Sequence, residues 1–384
     1  MNFIPTTEEQ RLAVDSFRRF LEAEIQPVAE AHRDRYIEPA TMREISSAIA
    51  PFGLPCGILG EADGGMDLDY TTHGLLFMEL ARISGDIGIT FLINIVGGRM
   101  LAELADPSVR ARYLPGLVDG TMHMSACISE PAVGSNVAAV ATRARRDGDE
   151  YVINGEKTWI SNGDYSDFAV VTARTSDDPR GGLSHILVDR AEHGYEVKNI
   201  QKMGLCSTST AQLFFDDVRV PVVNLLGEEG QGLRNTMALF EFARVHVGMT
   251  SVGIAQAALE AAVQYATERE QHGKLIAGHQ LVAAMLAEMA TDLDASRLLC
   301  LRTLALIDAG IRCDVETAMS KWYATEKAVD ICGKAIQIHG GNGITKEFPV
   351  EKLFRDAKVM PIPDGTTEIQ KLIIARKLTG ISAF

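Results

Sequence analysis

Cys127-Ile128-Ser129-Glu130-Pro131-Ala132-Val133-Gly134-Ser135-Asn136 is where this chain changes texture. The run from His123 to Ile128 reads as a strand, and the Glu-Pro that follows breaks it into a turn rich in Gly and Ser. Such a turn exposes backbone N–H groups and hydroxyls, which suit a flat polar heterocycle and a phosphate. Taken alone, a loop of this kind is structural more often than not.

Upstream, the pattern is helical. Thr6 or Thr7 is placed to cap a first helix, glutamates follow, and Leu12, Val14, Phe17, Phe20 and Leu21 form an apolar stripe that Pro27 should break. Further helices are expected over 40–50, 70–84, 88–105 and 107–118, with loops at Gly53-Leu54-Pro55 and from Glu61 to Gly65. Downstream, Ala138 to Arg145, Tyr151 to Asn154, Ala169 to Ala173, Leu183 to Asp189, Tyr195 to Asn199 and Ala211 to Val220 are short, β-branched runs between turn residues. They predict a small antiparallel β unit, with an Asn154-Gly155 hairpin inside it. After Gly227-Glu228-Glu229-Gly230-Gln231-Gly232, helical periodicity returns. Ala255, Ala258, Leu259, Ala262, Val263 and Ala266 form one amphipathic face, and Ala324, Ala328, Ile331, Ala335 and Ile338 form the seam of a bundle. The expected division is therefore 1–121 helical, 122–232 β and 233–384 helical.

Composition narrows the function classes. The 384 residues are 46% hydrophobic and 6% aromatic, with 37 Lys plus Arg against 51 Asp plus Glu for a net charge of -14, which opposes sequence-independent nucleic-acid binding. The six cysteines contain no C-x-x-C pair, so neither a disulfide framework nor a thiolate metal site is expected, and they read as buried free thiols. No basic, apolar leader opens the chain and no run of about 18 apolar residues is evident. A cytoplasmic, non-membrane protein is expected.

Several standard sites are missing. There is no G-x-G-x-x-G after a strand, no G-x-x-x-x-G-K-[ST], no H-E-x-x-H and no G-x-S-x-G. His272 and His279, seven apart, fit packing or a surface better than a metal. Four polar motifs remain besides a candidate base. They are the stretch quoted above, Asn154 to Gly163 with Trp159 beside Ser161, Arg269 to Lys274 with His279-Gln280, and Gln337 to Gly343. The candidate base is Asp364, in Met360-Pro361-Ile362-Pro363-Asp364-Gly365-Thr366-Thr367-Glu368. Pro363 fixes its own φ, Asp-Gly signals a turn, and Thr366 or Thr367 can cap the helix that runs to Gly380. The plain alternative is that Asp364 only helps to cap that helix.

In this order, the motifs resemble the acyl-CoA dehydrogenase family over essentially the whole chain. Cys127 to Ser135 match the family's first signature and Asn136 departs from it. Gln337, Gly340, Gly341, Gly343, Ile344, Glu347, Lys352 and Asp356 match the second, and Lys157 to Asn162 match its K-x-W-[IV]-[ST]-N element. The resemblance implies an α+β fold, with an N-terminal helical domain, a central antiparallel β-barrel-like domain and a C-terminal four-helix bundle.

It also implies FAD. Ile128, Ser129, Trp159 and Ser161 would meet the isoalloxazine ring. Arg269, Gln280, Gln337 and Gly341 match positions that contact FAD held by a neighbouring subunit, so a homo-oligomer, commonly a tetramer, is implied. His272 stands where the family usually has Phe. Thr366 matches a flavin-phosphate contact, and Glu368 replaces the usual Gln beside it. Ser135 and the segment from Glu241 to Arg244 match CoA-contacting positions, and Gly365 goes with the substrate. Without the family, Arg244 could equally be a surface cation.

The family's chemistry takes a proton from the carbon α to the thioester while hydride leaves the β carbon for the flavin. Asp364 occupies the position of the family's catalytic Glu. Some subfamilies carry a Glu one residue before the Arg of the CoA segment, but here that residue is Ala243. Aspartate at the base position is known in dehydrogenases of alicyclic acyl-CoAs such as cyclohexanecarboxyl-CoA, and in nitroalkane oxidases. Ser135 and Arg244 favour the CoA branch with an alicyclic or branched substrate; a short- or medium-chain straight acyl-CoA, or a nitroalkane-oxidase-type reaction, is the alternative. Electron-transferring flavoprotein is the family's usual electron acceptor. A DNA-binding relative is disfavoured by the acidic charge.

Overall fold

The computed structural model describes residues 7–178 and 181–382. Thr7 caps helix α1 (Glu8–Phe20), exchanging 3.1 Å hydrogen bonds with Gln10 in a capping box. Thr6, the other candidate cap, lies outside the described residues. Pro27 does not end the helix. A π turn (Leu21–Ile25) re-phases the chain into α2 (Gln26–Ala31), and Pro27 falls in its first turn, where a missing N–H costs little. Then follow α3 (Pro39–Ile49), α4 (Tyr70–Ile83), α5 (Gly85–Leu104) and α6 (Pro107–Val118). Although Asp86, Asn94, Arg99 and Glu103 interrupt it, α5 is by length and composition long and apolar enough to cross a membrane. Its Ile87, Phe91, Leu92 and Ile95 are instead buried in the protein core.

The sheet is built from β1 (Met124–Cys127), β2 (Arg143–Asp147), β3 (Glu150–Ser161), β4 (Phe168–Arg174), β5 (Leu183–Asp189), β6 (Glu196–Asn199), β7 (Thr210–Pro221) and β8 (Leu225–Leu226). A single helical turn, α7 (Arg190–His193), follows β5. The strand order is β6-β7-β3-β2-β4-β5-β8, with β1 on β4. The pairing is mostly antiparallel, but β4 runs parallel to β1 and to β2, and the chain crosses from β1 to β4 through β2 and β3. Two further expectations fail. The segment from Ala138 begins as a 3-10 turn and becomes a strand only at Arg143. Asn154-Gly155 is no hairpin but a bulge inside the twelve-residue β3, where the register to β7 slips between Ile153 and Gly155. Gly155 has φ +152°, and a Cβ there would lie 2.5 Å from the Thr142 hydroxyl.

The C-terminal third packs α8 (Gly232–Glu268), α9 (Gln280–Asp308) and α10 (Asp314–His339) side by side. Between α8 and α9 is a hairpin of β9 (Glu270–Gln271) and β10 (Lys274–Leu275), turned by His272 (φ 53°) and Gly273 (φ 74°). The short helices α11 (Val350–Val359) and α12 (Thr367–Thr379) follow. One apolar core joins the N-terminal helices to this bundle, and a second fills the sheet. All six cysteines are free, and five are buried; Cys206 is half-buried.

Candidate active site

Asp364 sits between α11 and α12 in a backbone conformation that disfavours most side chains. Its φ is 53° and that of Gly365 is 89°, so two left-handed residues in succession reverse the chain. Glycine is required second, since a Cβ would come within 2.7 Å of Gln370 Nε2 on top of the positive φ. Thr366 caps α12 and Gly380 ends it at φ 72°. Among the described residues the N–H of Asp364 donates to no protein acceptor. Burial pushes the Asp364 carboxyl above the ordinary carboxylate range, while the cations of Lys321 and Arg244 pull it back only in part.

Three side chains hold this turn from below. Lys321 of α10, 0% exposed, donates from Nζ to the carbonyls of Pro361 and Gly365, both at 2.8 Å. Gln370 of α12, also buried, donates to Asp364 O at 3.2 Å and Gly365 O at 2.8 Å. Arg244 of α8 is 6% exposed and donates from Nε to Asp364 O at 3.1 Å. It is therefore no surface cation. Thr367 is tied to Glu326 of α10 at 2.5 Å. Ala243 is buried and brings no second carboxylate to the site.

At the sheet, β1 leads into half-buried Ile128 and Ser129. Their carbonyls are fixed from β3: Lys157 Nζ donates to Ile128 O at 3.0 Å, and Thr158 N to Ser129 O at 2.9 Å. Lys157 is wholly buried and pairs at 2.8 Å with Glu130, which also accepts the amides of Ala141 and Thr142. A second register slip in β3, between Lys157 and Ile160, puts Trp159 at φ 61°. The sequence suggests a half-buried indole, but Trp159 is 64% exposed, because the bulge rotates it off the packed face. Ser161 is half-buried two residues further on. A free indole face beside two serines whose loop is anchored by a buried ion pair fits the flat, polar ring of FAD.

The other predicted residues lie apart. Arg269, His272, Gln280, Gln337 and Gly341 are all exposed. The His272 ring meets His279 edge-on at 6.1 Å, and Asn342 beside Gly341 reaches Tyr265 of α8 at 3.0 Å. Among the described residues, no hydrogen bond or ring contact ties these five to Asp364 or to Trp159. Ser135 is exposed, and Glu241 is half-buried, 3.8 Å from Arg312. Glu368 is exposed, and a hydrogen bond from Thr366 holds its carboxyl below the usual range.

Gln370 does not stand out in the sequence, and Glu130 lies inside the opening stretch with no sign there of its pairing to Lys157. Lys321 had a signal: the apolar seam of α10 continued one step before Ala324 lands on it, and a lysine in a buried seam asks for a reason.

Known proteins give the same reading. The acyl-CoA dehydrogenase N-terminal, middle and C-terminal domain models match residues 7–121, 125–218 and 230–379. Cyclohexane-1-carbonyl-CoA dehydrogenase of Geobacter metallireducens is 35% identical over 97% of this chain and 98% of its own. The caffeyl-CoA reductase-Etf complex subunit CarC of Acetobacterium woodii is 36% identical over 88% of this chain and 89% of its own. The structure of butyryl-CoA dehydrogenase from Megasphaera elsdenii superposes with a TM-score of 0.92 at 29% identity, over 98% of this chain and all of the other.

Proposed function

Because the chain belongs to the acyl-CoA dehydrogenase family, whose members use FAD, we propose that it oxidises an acyl-CoA thioester between its α and β carbons with Asp364 as the base. The observation that carries this is Asp364 itself. It is a half-buried carboxylate on a strained, clamped turn, with its pKa raised and its own amide N–H free.

An Asp364 oxygen takes the α proton, and the amide of the same residue is available to the thioester oxygen as negative charge builds there. Bound FAD supplies the acceptor for the β hydride. Ile128, Ser129, Trp159 and Ser161 would hold its ring, with Thr366 and Glu368 near its phosphates. Ser135, Glu241, Arg244 and Gly365 would line the acyl-CoA path. Arg244 has a second task, since its Nε holds the carbonyl of the base.

An alicyclic or branched acyl group is the preferred substrate. Aspartate is shorter than glutamate by about 1.5 Å, which leaves room for a substituted α carbon. The Geobacter metallireducens relative is named for a cyclohexane carbonyl-CoA. The name of the Acetobacterium woodii relative, a reductase-Etf complex subunit, supports electron-transferring flavoprotein as a redox partner. Arg269, His272, Gln280, Gln337 and Gly341, exposed and without a contact to Asp364 or Trp159 among the described residues, suit the FAD of a second copy in a homo-oligomer.

Anaerobic flavin bleaching tests the reading. Cyclohexanecarboxyl-CoA should bleach the yellow protein faster than isobutyryl-CoA or straight-chain acyl-CoAs. Asp364→Asn should slow bleaching by about 10²- to 10⁴-fold. Bleaching by no acyl-CoA, or an undiminished Asp364→Asn, would sink it. Peroxide release from nitroalkanes without CoA would point to an oxidase instead.

A further inference from the structure

We propose that Lys321 is a positioning residue for the base: its ammonium pins the two carbonyls that bracket Asp364 and keeps the carboxylate charged for proton removal. This rests on the reading of Asp364 as the base.

The geometry is specific. Pro361 lies three residues before Asp364 and Gly365 one after it, and Lys321 Nζ holds both carbonyls at 2.8 Å. The lysine is 0% exposed and its stem stands in the seam of α10 between Thr317 and Ala324. Gln370 already holds the carbonyls of Asp364 and Gly365, so a neutral donor can do the holding. What Lys321 adds is a positive charge in a place where charge is expensive. Its effect falls on Asp364, whose desolvation it opposes together with Arg244. Burial lowers the lysine to about 8, so it remains protonated at neutral pH.

The other ionisable groups around the turn are few. From α8 come Arg244 and, beside it, Glu241; from α10 come Asp314 and Glu326; from α12 comes Glu368. None of the acidic groups replaces the ammonium, and Arg244 is engaged with the Asp364 carbonyl. A purely structural lysine would only staple α10 to the turn. A positioning lysine must also set the pH at which the base works.

The test is the pH profile of anaerobic flavin reduction in the FAD-loaded protein. In Lys321→Met, the acid limb of kcat/KM should move up by about one pH unit, because a nearby cation is removed from an ionised carboxylate. The limiting rate should fall by about ten-fold or more as the turn loosens, with KM little changed. Lys321→Arg should bring the limb back. If Lys321→Met does not load FAD, Lys321→Gln, which keeps an amide donor but drops the charge, is measured in its place. An acid limb that stays put in the neutral variant overturns the proposal. Asp364→Asn separates the two failures. If it still bleaches at the wild-type rate, the base assignment is wrong; if it is inactive while the limb of Lys321→Met is unmoved, only the role of Lys321 is wrong.

Discussion

In the proposed reaction, one side chain, Asp364, carries both the proton transfer and the substrate preference. Its carboxylate must be ionised to accept a proton, yet burial favours the neutral acid. The sign follows: kcat/KM should fall as pH drops through a value above the ordinary carboxylate range. Length is the second variable. Asp364→Glu restores about 1.5 Å of reach and fills the space beside the α carbon. The ratio of kcat/KM for straight-chain over cyclohexanecarboxyl-CoA should rise in that variant, and an unmoved ratio would refute the reading from length. The sequence made this residue visible through Pro363, Gly365 and the threonines that follow. It did not reveal Gln370, because a buried donor to a backbone carbonyl leaves no short-range pattern, and Lys321 shows only as a lysine on the apolar seam of α10.

Among the elements, β3 does the most to shape the site. Its two register slips turn one long strand into a scaffold that faces inward at Lys157 and outward at Trp159. Asn154-Gly155 misleads as a hairpin signal because the same residues also tolerate a bulge. The ion pair beneath the bulge is buried, Lys157 wholly and Glu130 with 7% exposure left. Burial alone would raise the Glu130 carboxyl, but Lys157 and the amides of Ala141 and Thr142 hold it below its usual range. A depressed carboxyl stabilises the fold above its unfolded pKa, and this is lost as pH falls through the folded value. Lys157→Met strands Glu130 as a buried, uncompensated charge and should cost about 3–5 kcal/mol, read as a lower denaturant midpoint. FAD content should fall with it, since Ile128 O loses its donor. A midpoint equal to wild type would count against the pair as the anchor of the loop.

At the scale of the whole molecule, the helix, sheet, helix order follows from periodicity, because it depends on where apolar residues recur. What escaped is made by residues far apart in the chain. Asp86 of α5 accepts Ser207 N at 2.8 Å, Asp356 of α11 accepts Leu205 N at 2.6 Å, and Lys352 binds both carboxylates. Three regions meet at one half-buried lysine; the second signature contains Lys352 and Asp356, but nothing in it points to Asp86 or to the Leu205–Ser207 segment. Burial and the neighbouring Asp86 raise the Asp356 carboxyl. In Lys352→Met the two carboxylates lose the cation that bonds them both, leaving only the more distant Lys202, and stability should drop by about 3–5 kcal/mol at neutral pH. A folded state whose carboxyl is raised takes up its proton first, so part of that loss should return as pH falls below the raised value. Chemical denaturation at two pH values checks both signs. The exposed indole on β3 has an optical consequence. The chain has two tryptophans, and Trp322 is half-buried on α10 with the Lys371 ammonium 5.1 Å from its ring centroid. A chromophore settling against β3 would dim the emission of Trp159, so the protein carries a fluorescent gauge of its own occupancy.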